Sequence, residues 1–154
     1  MDWLNDPEVN KYLESGGDYS LEKLNDYLTG VESRDDLLFW AIHLKSNDKH
    51  IGNIKIDPVN LKHGLAEYGI LMGDRTEWRH GYAQEASNTV IEYMFTVLNC
   101  RKITLGFVAD HVAALNLYLK LGFVHEGLYR KHFDYGHEYC DVIRMALFNS
   151  RYQV

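Results

Sequence analysis

Trp78-Arg79-His80-Gly81-Tyr82-Ala83-Gln84-Glu85-Ala86 is the stretch that organises this chain. It follows an apolar strand pattern, Leu65 to Met72, and a polar loop from Gly73 to Glu77. It then enters the longest helical pattern, Ala83 to Leu98, with Ala83, Ala86, Val90, Met94 and Val97 on one stripe. The first N–H groups of such a helix have no intrahelical partner and point at a common spot. The macrodipole adds partial positive charge there, which suits a phosphate or pyrophosphate. Gly81 lets the backbone turn close to an anion, Ala83 removes bulk beside it, and Arg79 adds a charge-assisted contact. On the residues alone, an ordinary loop with a turn glycine stands beside this reading, because short glycine motifs are frequent by chance.

Downstream, Arg101 to Ala109 reads as a strand and Val112 to Leu121 as a helix stopped by Gly122. Phe123 to Arg130 and Glu138 to Phe148 are two further strands around the turn Asp134-Tyr135-Gly136. Upstream, Asp6-Pro7-Glu8 opens a helix that the pair Gly16-Gly17 ends. Ser20 opens a second, with Leu21, Leu24, Tyr27 and Leu28 on one face and Gly30 as its stop. Leu37 to Leu44 and His50 to Val59 form a hairpin around Ser46-Asn47-Asp48-Lys49. Gly69, inside the third strand, signals a bulge or a close backbone approach. The fold class is α/β: one domain over residues 1–154, a mixed, mainly antiparallel sheet flanked by helices. Only the central β-α-β unit demands a parallel crossover.

Composition bounds the partners. The 154 residues are 46% hydrophobic and 25% charged, enough to bury a core, so a disordered or fibrous chain is excluded. Net charge is −6 and no Lys/Arg cluster occurs, which argues against nucleic acid and permits a cationic small molecule or basic peptide. No apolar run approaches a membrane span and no signal peptide is visible at the N-terminus, so a cytoplasmic chain is expected. Cys100 and Cys140 are the only cysteines, and the eight histidines show no metal-ligand spacing, so no metal is expected.

Trp78-x-x-Gly81-x-Ala83-x-Glu85-Ala86 resembles motif A of the GCN5-related N-acetyltransferases (GNAT), in its RimJ/RimL-type branch. That branch includes ribosomal-protein-alanine, spermidine and amino-sugar acetyltransferases. Trp78 stands where the general signature has Arg or Gln. Ala113-Ala114-Leu115-Asn116-Leu117-Tyr118-Leu119-Lys120-Leu121-Gly122-Phe123 is similar to the family's motif B. His111 takes a position where family members usually carry Asn. Family members begin with a strand ahead of a helix like Trp3-Leu4-Asn5-Asp6-Pro7; here that strand is expected to be absent or replaced by another part of the molecule, and the edge so exposed invites a homodimer.

The resemblance implies transfer of an acetyl group from acetyl-CoA directly to a primary amine of a polyamine, a peptide or an amino sugar. It implies cofactor contacts at Ile70, Leu71 and Met72, at Arg79, His80, Gly81, Tyr82 and Ala83, and at His111. It makes Tyr118 the general acid for the departing thiolate, against the plainer role of a buried helix tyrosine. Glu67 is the first choice of base, against a solvent-facing strand residue, with His80 and His111 behind it. Cys100, at a helix–strand junction, reads as packing and not as a nucleophile. A catalytically silent acyl-CoA-binding module is the competing function, separated from the enzyme by thiol release.

Overall fold

Asp6 and Ser20 are residue types whose short side chains accept from freed helix amides, and both do so here. The computed structural model of the chain describes residues 2–13, 18–135 and 138–152. In it α1 (Asp2–Asn5) precedes α2 (Pro7–Asn10), capped by Asp6, and α3 (Leu21–Glu32), capped by Ser20. α2 ends at Asn10, well before the expected Gly16-Gly17 stop, which lies outside the described residues. α3 runs straight through Gly30 to Glu32, because Gly30 keeps helical backbone and only Ser33 closes the helix. None of the residues of α3 is buried, and its Leu21, Tyr27 and Leu28 remain exposed.

β1 (Leu38–His43) and β2 (His50–Asn60) form the expected hairpin, and β3 (Leu65–Met72) adds antiparallel to β2. Gly69 carries neither a bulge nor a close neighbour: its register with Lys55 is regular and a Cβ there would meet nothing within 4 Å. The irregularity falls on β2 instead, between Ile56 and Val59, beside the cis Asp57–Pro58 bond. α4 (Tyr82–Thr96) then crosses over to β4 (Lys102–Val108), parallel to β3, and α5 (Val112–Lys120) leads into β5 (Val124–Asp134) and β6 (Tyr139–Phe148). β5 extends to Asp134, past the expected end at Arg130, through two irregular positions of its pairing with β6.

The sheet order is β1-β2-β3-β4-β6-β5, and β3–β4 is its single parallel contact. β1 is an edge strand. Alternation along each strand sends one set of side chains toward α4 and α5. Ile54, Ile56, Met94, Ile103, Leu105, Phe123 and Met145, none more than 2% exposed, form the centre of that layer. On α4 the buried face is Ser87, Val90, Ile91 and Met94; Val97, expected on the stripe, is 58% exposed. No helix among the described residues is long and apolar enough to cross a membrane.

Candidate active site

β3 and β4 share only three paired positions, Leu65 with Lys102, Ala66 with Ile103 and Glu67 with Thr104. Beyond Glu67 the strands part, Tyr68 to Met72 following β2 while Leu105 to Val108 follow β6. Alternate residues of this part of β3, which includes Ile70, Leu71 and Met72, therefore turn N–H and C=O groups into a fork and not toward a strand. The closed end of the fork is clamped from the far side of the sheet. Arg144 donates from Nη1 and Nη2 to Glu67 Oε1 and Oε2, at 2.8 and 3.0 Å. That bidentate geometry is the strong form of an Arg–carboxylate pair. It passes over β4 at Gly106, where a Cβ would lie 2.5 Å from Nη1.

Tyr118 sits over the fork. Its ring meets Tyr68 of β3 (6.3 Å, 88°) and Phe107 of β4 (5.3 Å, 55°), one neighbour from each parting strand. It is 6% exposed, and its hydroxyl makes no hydrogen bond among the described residues. Burial pushes this phenol up to about 12, so it keeps its proton at neutral pH. Gly122, at φ +87, turns the chain: its N–H donates to the Leu119 carbonyl and the Phe123 N–H to that of Tyr118.

The loop between β3 and α4 is pinned at its base and bare at its tip. Trp78 Nε1 donates to the Met72 carbonyl at 2.8 Å, and a 3₁₀ turn (Arg75–Glu77) starts on Asp74. Lys49 bridges Asp74 and Glu77, at 2.8 and 3.0 Å, and with Thr76 it holds the Asp74 carboxyl down to about 2. Trp3 of α1 packs on Gly73 so closely that a Cβ there would overlap its ring. Arg79 (φ +67) and Gly81 (φ +87) both take left-handed backbone, and the space where a Gly81 Cβ would stand is open. α4 starts on Gly81 with no side-chain cap. Arg79, His80 and Gly81 are exposed, while Tyr82 and Ala83 are half-buried.

His111 starts α5, its Nδ1 accepting from the Ala114 N–H at 3.4 Å and its ring stacked on Tyr12 at 4.2 Å. Burial, then the Lys11 charge, lowers its pKa, so the imidazole stays neutral and Nδ1 remains an acceptor. Cys100 is fully buried, and burial pushes its thiol up, the state of a packing residue.

Residues 1–124 match the acetyltransferase (GNAT) domain family. The chain belongs to the GNAT acetyltransferase family. It is 30% identical over 158 residues to an uncharacterized N-acetyltransferase, p20, of Bacillus licheniformis, covering 97% of this chain and 85% of that protein. It is 33% identical over 102 residues to the spermidine N(1)-acetyltransferase of Vibrio cholerae, 66% of this chain but only 58% of the enzyme. The crystal structure of the Vibrio cholerae spermidine N-acetyltransferase with CoA and spermine superposes with TM-score 0.89 at 25% identity, covering 98% of this chain and 88% of that one. The activity is acetyl-CoA-dependent N-acetyl transfer.

The GNAT cleft fits that donor. A diphosphate needs N–H donors on an exposed, uncapped backbone, which the start of α4 offers at Gly81. A thioester needs strand amides that no neighbouring strand consumes, which the fork offers. The resemblance named Tyr118, Glu67 and the β3 amides; that they gather around a fork between β3 and β4 comes from the structure. Sequence reading missed Arg144, whose signal was a charge set between the apolar residues Ile143 and Met145 of the last strand. It also missed Gly106, a glycine inside a strand that marks a close approach. Trp78 was noted as a departure from the motif; the structure gives it a task, tying the GNAT loop to the end of β3.

Proposed function

We propose that this GNAT domain acetylates a primary amine of a polyamine-class acceptor, with Tyr118 as the proton donor at the fork. The observation that carries the proposal is the Tyr118 hydroxyl: protonated, on a ring packed between the parting strands, and with no hydrogen-bond partner among the described residues. Acetyl-CoA, when bound, supplies the acetyl thioester. In this reading Arg79, His80, Gly81, Tyr82 and Ala83 seat its diphosphate on the open start of α4. Of Ile70, Leu71 and Met72, the alternate residues whose N–H groups face the fork donate to the acetyl oxygen, and the His111 Nε2 is left for the pantetheine arm.

Glu67 lies on the opposite face of β3 from Tyr68 and Tyr118, because side chains alternate along a strand. A base on one face and an acid on the other separates the arriving amine from the departing thiol. A carboxylate has about four lone-pair positions, so the two used by Arg144 leave others to take the ammonium proton through water. The polyamine class is supported by the spermidine N(1)-acetyltransferase relatives and by the net charge of −6, which favours approach of a cation. The exposed edge of β1 supports a homodimer, and two free thiols, one of them buried, support a cytoplasmic enzyme.

The test is release of free thiol from acetyl-CoA across a panel of amines that includes spermidine, an amino sugar and an N-terminal peptide. Turnover fastest with spermidine is the expected result. Turnover confined to the sugar or peptide would overturn the acceptor assignment. CoA binding with no thiol release on any amine would restore the silent-module reading.

A further inference from the structure

Two polar side chains in the core of this layer have no part in the chemistry above. Tyr68 is 4% exposed and Ser87 is fully buried, and their hydroxyl oxygens lie 2.6 Å apart. The Ser87 hydroxyl has one proton, and it is directed to the Ala83 carbonyl at 2.5 Å. Tyr68 is therefore the donor to Ser87, and the chain of bonds runs from β3 through Ser87 to Ala83. Its two ends are informative. Tyr68 is the first residue of β3 past the last β3–β4 pair, where the fork opens. Ala83 lies in the first turn of α4, two residues after Gly81. Burying two hydroxyls in an apolar layer is unfavourable unless each is satisfied, and here the Tyr68 hydroxyl is satisfied across the layer by Ser87, which donates its own proton to Ala83 within α4.

We propose that Tyr68 is a positioning residue, its hydroxyl tying the fork to the first turn of α4 through Ser87 so that the diphosphate seat and the thioester seat stand at a fixed separation. The proposal rests on the acetyl-CoA reading of the cleft. It follows from the geometry that the donor, one molecule spanning both seats, is recognised as a unit only while this tie holds. The ring of Tyr68 has a separate task, packing against Tyr118 and Phe123. Tyr68→Phe keeps that ring and deletes only the tie.

The experiment compares two acetyl donors on purified Tyr68→Phe, Ser87→Ala and the double variant. CoA binding is read by calorimetry. Turnover is read with acetyl-CoA and with S-acetylpantetheine, which has the thioester but no diphosphate. Tyr68→Phe should weaken CoA binding about three- to tenfold, the worth of one buried hydrogen bond. kcat at saturating acetyl-CoA should stay within about twofold, and kcat/KM for S-acetylpantetheine should not change, because that donor uses only one seat. The double variant should bind CoA no worse than the weaker single variant, since both delete one tie.

CoA affinity equal to the parent, or equal losses on both donors, would overturn the proposal, the second outcome marking a general loosening of the core. If Tyr68→Phe does not fold, Ser87→Ala gives the same two-donor comparison. Failure of the unsubstituted protein to bind CoA is a different result, and it overturns the cleft reading itself.

Discussion

Two helices start beside the same fork, and they start differently. α5 begins on His111, whose side chain accepts from an amide of its own first turn and whose ring is covered by Tyr12. α4 begins on Gly81, with left-handed backbone, no side-chain cap and open space in front. A long helix stabilised along its length by Val90, Ile91 and Met94 in the core does not depend on a cap. Its free amides are then available to a ligand. The nine-residue α5 buries only Ala114 and Tyr118, and it closes its own start. In the proposed reading the open start holds an anion, and the closed one begins the helix that carries Tyr118.

The largest expected effect is on the chemistry at the closed helix. Tyr118→Phe should lower kcat by about a hundredfold or more, the usual contribution of a positioned acid, with CoA affinity retained in calorimetry. Unchanged turnover would remove Tyr118 from the proton path and leave it a packing residue.

Closing the open start should come next. Gly81→Asp places a carboxylate where it accepts from the α4 amides and repels a diphosphate. CoA affinity should fall by about thirty- to a hundredfold, while the melting temperature stays within a few degrees, because the gained cap offsets the left-handed strain. CoA bound at parental affinity would show that the two helix starts do not differ in the way described.

Opening the closed start should be milder. His111→Ala should lower stability by about 1 kcal/mol, the ordinary worth of a cap, read by denaturant titration. pH supplies a second readout. The folded-state pKa of His111 lies below the ordinary 6.5, so the unfolded chain takes up this proton first as the pH falls. Its stabilising contribution is complete above about 6.5 and is lost as pH drops through the lower folded value. His111→Asn should keep a cap and flatten this component of the melting curve series; an unaltered slope would place the acid sensitivity elsewhere.

Gly30→Ala in α3 is the smallest change and the control. Nothing stands within 4 Å of that position and its backbone is helical, so stability should rise by about 0.5–1 kcal/mol with CoA affinity untouched. A change in CoA affinity would connect α3 to the cleft.

The same contrast runs through what was legible beforehand. The crossover helix, its glycine start and the Leu121-Gly122-Phe123 turn were readable because helix period, left-handed glycine and capping are local properties. β1 to β4 were placed within a residue or two at each end on alternation and turns alone. Gly30 misled as a stop, since a glycine ends a helix only when the chain needs left-handed backbone there, and Ser33 closes α3 instead. Gly69 misled in a similar way, while Gly106, unremarked, is where the Arg144 side chain crosses. Residue identity alone does not distinguish these glycines; their neighbours do.

The residues by themselves determined the strands, the helices from α3 onward, their order and the glycine start of α4, because each rests on interactions spanning a few positions of chain. Only the folded molecule decided that β3 and β4 part after three pairs, that Arg144 clamps Glu67 from 77 positions away, and that Tyr68 reaches Ser87 across the core. Those contacts depend on register and on which side chains meet once strands and helices have packed, and no local pattern carries that information.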